Sequence, residues 1–182
     1  LYQKAMEGDK DCGGMIACNY YSGEPVTGLE EGRPMFLRRP DSHLGLANFM
    51  RSHLYASLVT LKIGLDILLK EEDVKIDSIT GHGGLFKTKG VGQSILAAAM
   101  NAPISVMETA GEGGAWGMAL LAAYMLFKKD GQSLGDYLDS RVFAERKSET
   151  MEPDLADVAG FETYTKQYQA CLAAEKAAVQ AF

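Results

Sequence analysis

The spacing of apolar residues changes period several times along the chain, and each change predicts an element. "MIACNYY" (Met15–Tyr21) is a short apolar run behind the Gly13–Gly14 turn. "SGEPVTGLEEGRP" is dense in turn formers, and "PMFLRR" reads as a second strand, with weak strand character around Val26 between the two. Leu46, Phe49, Leu54, Leu58, Leu61, Leu65 and Leu69 then recur every three or four residues. With Asp41 or Ser42 as cap, they predict one long helix that ends near "KEED". "VKIDSIT" (Val74–Thr80) predicts a strand with Val74 and Ile76 inward. Helices are expected over about Lys89–Met100, over "MALLAAYMLFKK", and from Phe161 to Phe182, with "APISVMET" as the strand before the second of these. Between Gly131 and Gly160 the chain is polar and mixed and predicts nothing regular.

Two glycine-rich stretches interrupt this pattern at equivalent places, past a strand and before a helix: "GHGGLFKTKG" (Gly81–Gly90) and "AGEGGAWG" (Ala110–Gly117). Main-chain N–H groups at a helix start lack an internal partner and favour anions. Ligands of open α/β sheets sit outside the carboxyl ends of the strands. Gly81, Gly83 and Gly84 let the backbone approach a phosphate, with Lys87 or Lys89 adding a charge-assisted contact, while the second stretch faces base or ribose. The pattern matches neither GxGxxG nor GxxxxGK[ST], so a plain turn and a ligand loop stand equally on pattern alone. His82 reads as a turn residue. The small residues Gly113, Gly114, Ala115, Gly117 and Ala119 predict a helix packed close to the sheet, and Trp116, the only tryptophan, is expected to fill core more than to lie along a base.

Composition narrows the classes. The 182 residues suffice for one substantial core, and a net charge of −6 offers no basic stripe for nucleic acid. No apolar run reaches the roughly 20 residues that a membrane span requires. Cys12, Cys18 and Cys171 lack metal spacing and read as free thiols in a reducing cytoplasm; no metal site and no hydrolase motif is present. The chain does not begin with methionine and is expected to be part of a longer protein.

The order of elements predicts an α/β domain with a mixed sheet and helices on both faces, and resembles the ribonuclease H-like or actin-like ATPase fold. "NYYSGE" (Asn19–Glu24), "GHGGLFKTKGVGQSILAAAMNAPISV" (Gly81–Val106) and "EGGAWGMALLAA" (Glu112–Ala123), in that order, resemble the carboxyl-terminal domain of the FGGY carbohydrate kinases, xylulose kinase among them. The resemblance covers residues 13–128 and casts 1–182 as the nucleotide-binding domain, with 160–182 as a terminal helix.

What the resemblance implies is an ATP- and Mg²⁺-dependent sugar kinase, with a pentulose, polyol or sugar acid as acceptor. It implies an amino-terminal domain that supplies the catalytic base, so no catalytic residue is assigned here. Gly81, Gly83, Gly84, Lys87 and Thr88 would lie toward the phosphates, and Gly113, Gly114 and Ala115 toward adenine and ribose. Leu85 and Phe86 stand where the family often has glycine and alanine, Ala98 where it often has aspartate, and Tyr55 near its glutamate, which marks a divergent branch. Asp9, Asp11, Asp66 and Asp77 read as surface or capping residues. An actin-like ATP-dependent switch without a sugar acceptor is the alternative, and a domain kept for assembly alone is a third. Partners are ATP, a small sugar and the rest of the protein, without nucleic acid or membrane; a homodimer is allowed.

Overall fold

A computed structural model describes residues 1–107, 113–144 and 148–181. A short helix α1 (Tyr2–Ala5) and a 3-10 turn (Cys12–Gly14) lead into β1 (Met15–Cys18), which pairs antiparallel with β4 (Met35–Arg38), Ile16 opposite Leu37 and Ala17 opposite Phe36. Every residue of β1 is buried, because helices cover both faces of this pair. Phe36 packs on Phe49 and His53 of α2 (Leu46–Lys70), with ring centroids 5.1 and 6.0 Å away. Ile16 and Leu37 face Gln167, Ala170 and Cys171 of α6 (Leu155–Ala181). A strand covered on both sides reads as a continuous apolar run, as "MIAC" does. The turn-rich stretch between them folds as a small hairpin, β2 (Ser22–Glu24) on β3 (Leu29–Glu31), turned by Gly28 at φ +69°.

Helix α2 begins later than expected because Ser42 is engaged elsewhere. Its hydroxyl donates to the Gly14 carbonyl and accepts the Arg39 N–H, each at 2.9 Å, which leaves Gly45 at the cap position. By length and mean hydropathy (1.3) α2 could cross a membrane. Its ion-paired Arg51 and its buried Tyr55 and Val59 instead make it the central helix of the core. Helix α6 begins six residues earlier than expected: the Asp154 carboxylate accepts the N–H groups of Ala156 (3.0 Å) and Asp157 (2.9 Å) and caps the helix.

The second half carries β5 (Ile79–Gly81), α3 (Val91–Met100) and β6 (Ile104–Met107). β5 and β6 lie parallel, Ile79 opposite Ile104, and β7 (Ser148–Met151) adds antiparallel to β6. Ile104 and Val106 point to α3, while Ser105 and Thr150 share a hydrogen bond (2.7 Å) on the open face. Val74–Ser78 is not strand, against expectation, and Val74 and Ile76 are 43% and 40% exposed. The ladder stops at Ile79 because the next partner past Ile104 would be Pro103, which has no N–H to give. Among the described residues the β1–β4 pair and the β5–β6–β7 sheet are separate ladders, not one continuous sheet.

Helix α4 (Gly113–Phe127) starts inside the second glycine stretch and buries none of its residues. The close packing that its small residues predicted is absent: added Cβ atoms at Gly114 and Gly117 would meet nothing within 4 Å. Met118, Met125, Leu126 and Phe127 are 60–77% exposed. A four-residue helix α5 (Leu134–Tyr137), capped by Ser133, runs into a π-helical turn (Leu138–Val142).

Candidate functional site

The first glycine stretch leaves β5 at Gly81, which is buried under the Phe86 ring. A Cβ there would lie 2.4 Å from two ring carbons, so glycine is required for that packing. Gly83 sits at φ +108° with open space beside its Cα, and Gly84 is equally open. A 3-10 turn (Gly84–Lys87) follows, and Gly90 at φ +79° starts α3. Positive φ at Gly83 and Gly90 is the backbone shape that a side chain resists. Buried Gln93 fixes this corner: its side-chain amide donates to the carbonyls of Ile104 (2.7 Å) and Glu149 (2.8 Å), tying α3 to β6 and β7.

The two glycine stretches line one cavity. A side chain at Gly113 would first meet the His82 ring, at 3.4 Å. The cavity has a volume of about 710 Å³, and its walls include Thr80, His82, Gly83, Met107, Gly113 and Gly114. Trp116, Gly117, Leu120, Leu121, Leu134, Leu138 and Phe143 complete it. The volume suits a small-molecule site, apolar over most of its wall with a few polar groups. One face of α4, from Gly113 to Leu121, lines it, a run of about 12 Å at the helical rise. Trp116 is half-buried on this wall against Phe143, with ring centroids 5.8 Å apart, and is not core.

The other expected site residues divide. Gly81 supports Phe86 and lines an apolar cleft with Leu58, Leu61 and Leu96 instead. Thr88 lines a neighbouring cavity of about 480 Å³ with Gly90, Gln93 and Glu149, and Met107 lines both cavities. Lys87 ends the 3-10 turn with an exposed side chain, and Ala115 is exposed on α4. Lys89 is ion-paired with Glu149 at 3.2 Å. Ala110–Glu112 of the second stretch lie outside the described residues. Sequence reasoning missed His82, Gln93 and Phe143 as parts of this region. His82 carried a signal in its place between two glycines, whereas Gln93 and Phe143 depend on distant partners. Among the described residues no cluster of three His, Cys, Asp or Glu side chains could hold a metal ion.

Comparison with known proteins matches this geometry to a fold. The chain aligns with xylulose kinase from Rhodospirillum rubrum at TM-score 0.64 and 19% identity, covering 95% of this chain and 33% of that one. Gluconate kinase from Lactobacillus acidophilus gives 0.69 and 18%, covering 96% and 34%. Plasmodium falciparum glycerol kinase with ADP gives 0.64 and 16%, covering 96% and 33%. The chain thus spans about a third of the length of these proteins and shares their ribonuclease H-like, actin-like α/β fold. No curated protein sequence matches it. The sequence profile of the FGGY family of carbohydrate kinases, C-terminal domain, matches residues 2–126, and the chain belongs to that family.

Proposed function

We propose that this chain is the ATP-binding part of a kinase that phosphorylates a hydroxyl of a small carbohydrate: a pentulose such as xylulose or ribulose, or a related polyol or sugar acid. One observation carries the reading. His82 and Gly113 bring the two glycine stretches around a single cavity large enough for a nucleoside.

Bound ATP supplies the phosphoryl group. Gly83 and Gly84 present main chain without side-chain obstruction to the phosphates, and the start of α4 at Gly113 and Gly114 does so for the ribose. Gly81 acts indirectly, seating the Phe86 ring and thereby fixing the bend. Lys87 and Thr88 flank the phosphate end, and Ala115 lies one residue past the ribose contact. Mg²⁺ commonly binds through substrate phosphates and water with few protein carboxylates, so it would arrive with the nucleotide. The base that accepts the sugar proton belongs to the amino-terminal domain of the whole protein, which also completes the sugar pocket. Three free thiols suit a reducing compartment such as the cytoplasm.

Calorimetry of the chain with Mg-ATP tests the nucleotide site, and a sugar panel on the intact protein tests the reaction. Binding by the chain without turnover, together with ADP release by the intact protein only when one sugar is present, is expected. ATP hydrolysis indifferent to every sugar would replace this reading with an actin-like switch.

A further inference from the structure

A cavity of about 410 Å³ lies between α1, α2 and the turn that carries Leu85. It shares no lining residue with the cavity proposed for the nucleotide. Met50, His53, Leu54 and Ser57 recur at helical spacing, so one face of α2 supplies most of the wall. Every lining residue, and each of its neighbours in the chain, lies within residues 1–107. The volume, and an apolar wall with a few placed polar groups, are those of a small-molecule pocket.

His53 is held in place by its surroundings. The Phe36 ring stacks on it with centroids 6.0 Å apart and planes at 14°, and the Phe49 ring stands across it at 4.5 Å and 67°. Asn19 fixes the tautomer. Its amide nitrogen donates to the His53 carbonyl (3.5 Å), which turns its oxygen to Nδ1 at 3.0 Å. An amide oxygen only accepts, so Nδ1 carries the hydrogen and Nε2 keeps a lone pair. Burial lowers the His53 pKa and favours this neutral ring. Among the described residues no hydrogen bond reaches Nε2. The Ser57 hydroxyl gives its hydrogen to the Leu54 carbonyl at 2.7 Å, so its oxygen, too, has only lone pairs to offer.

We infer that this cavity is a second ligand site. It takes a small neutral alcohol on an apolar body, such as a phenol, and binds its O–H through Nε2 of His53. The donor is required because the cavity's fixed polar groups are acceptors, and the apolar body because Met50, Leu54 and Leu85 form the wall. A sugar does not fit this wall, which would strip water from most of its hydroxyls without replacing it. The inference is independent of the nucleotide reading.

Phenol and fluorobenzene, alike in shape but not in donor, are titrated against the intact protein by calorimetry, and the imidazole nitrogens are followed by ¹⁵N NMR. The His53 signal is identified by its loss in His53→Phe, which keeps a ring between Phe36 and Phe49. Phenol is expected to bind roughly tenfold or more tighter than fluorobenzene, which leaves the acceptor dry and unpaired. The Nε2 resonance should shift as phenol saturates. In His53→Phe, whose unfolding curve establishes that it folds, the two ligands should bind alike. Equal affinities in the parent, a His53 nitrogen that phenol leaves unmoved, or no binding of either ligand would each overturn the inference. So would a preference for phenol that survives in folded His53→Phe. None of these results bears on the nucleotide cavity, which Mg-ADP calorimetry reads separately.

Discussion

Arg51 of α2 and Asp157 of α6 form an ion pair in which the guanidinium is fully buried. Lys10 reaches the same Asp157 oxygen at 2.8 Å. The remaining Arg51 donors go to the carbonyls of Ala5, Met6 and Gly8 (3.3–3.4 Å) and to the Tyr55 hydroxyl (3.0 Å). One side chain therefore joins the amino-terminal segment, the central helix and the last helix. Removing one member of a buried pair strands the other charge, which costs about 3–5 kcal/mol. Asp157→Ala should lower stability by about that much in urea unfolding. Arg51→Met should also destabilise, since three carbonyls lose their donor, and the double variant should fall short of the sum of the two losses.

Carboxyls held by hydrogen bonds, Asp154 and Asp9 among them, set an acid limit. Asp154 is held below its usual value by the N–H of Asp157 first and then that of Ala156. Asp9 is held there by hydrogen bonds from Asn48 first and His43 second. A carboxyl depressed in the folded state stabilises above its unfolded value of 3.8 and loses that contribution as pH falls through the folded value. Melting temperatures should hold steady from pH 7 to about 5 and drop below about 4. Asp154→Asn keeps a capping oxygen and should flatten part of the drop.

Glycines separate structure from ligand contact. A Cβ at Gly114 would meet nothing within 4 Å, so Gly114→Ala should cost no stability in unfolding while Mg-ADP binding weakens about tenfold or more. Gly160→Ala has the opposite profile. Its Cβ would lie 2.2 Å from the Lys10 carbonyl oxygen, and overpacking of this kind costs roughly 1–3 kcal/mol with no direct effect on the cavity. Gly83→Ala should show both effects, because φ +108° strains any side chain at an open position.

The three thiols should be inert in the native protein. Burial pushes the Cys18 thiol up to about 12 and raises Cys12 and Cys171 as well. A disulfide-exchange reagent at pH 8 should titrate almost none of them until the chain unfolds, then all three together.

The elements legible in the sequence were those whose signal is local. The leucine spacing of α2, the apolar face of α3 and the parallel placing of β5 and β6 followed from period and order alone. β7 was hidden because "SETM" sits on a sheet edge and exposes three of its four residues, leaving no alternation to read. The start of α6 was misplaced because its first turn is polar, and the Asp154 cap, which marks it, was passed over. At the site, the glycine stretches were visible, but their meeting was not. That meeting places His82 and Gly113, residues 31 apart, on the wall of one cavity, which no local pattern encodes. Trp116 was expected in the core, and α4 pressed to the sheet; the cavity between them overrode both.

Helix α4 has one more consequence. It buries no residue, while α3 buries nine of its ten. Amide protons of α3 should then resist deuterium for as long as the whole protein stays folded, and those of α4 should be lost in brief local openings. A nucleotide in the cavity beside α4 would lie against a spring. Much of its binding energy would go into stilling that spring, so slowed exchange along α4 should be the earliest sign of occupancy.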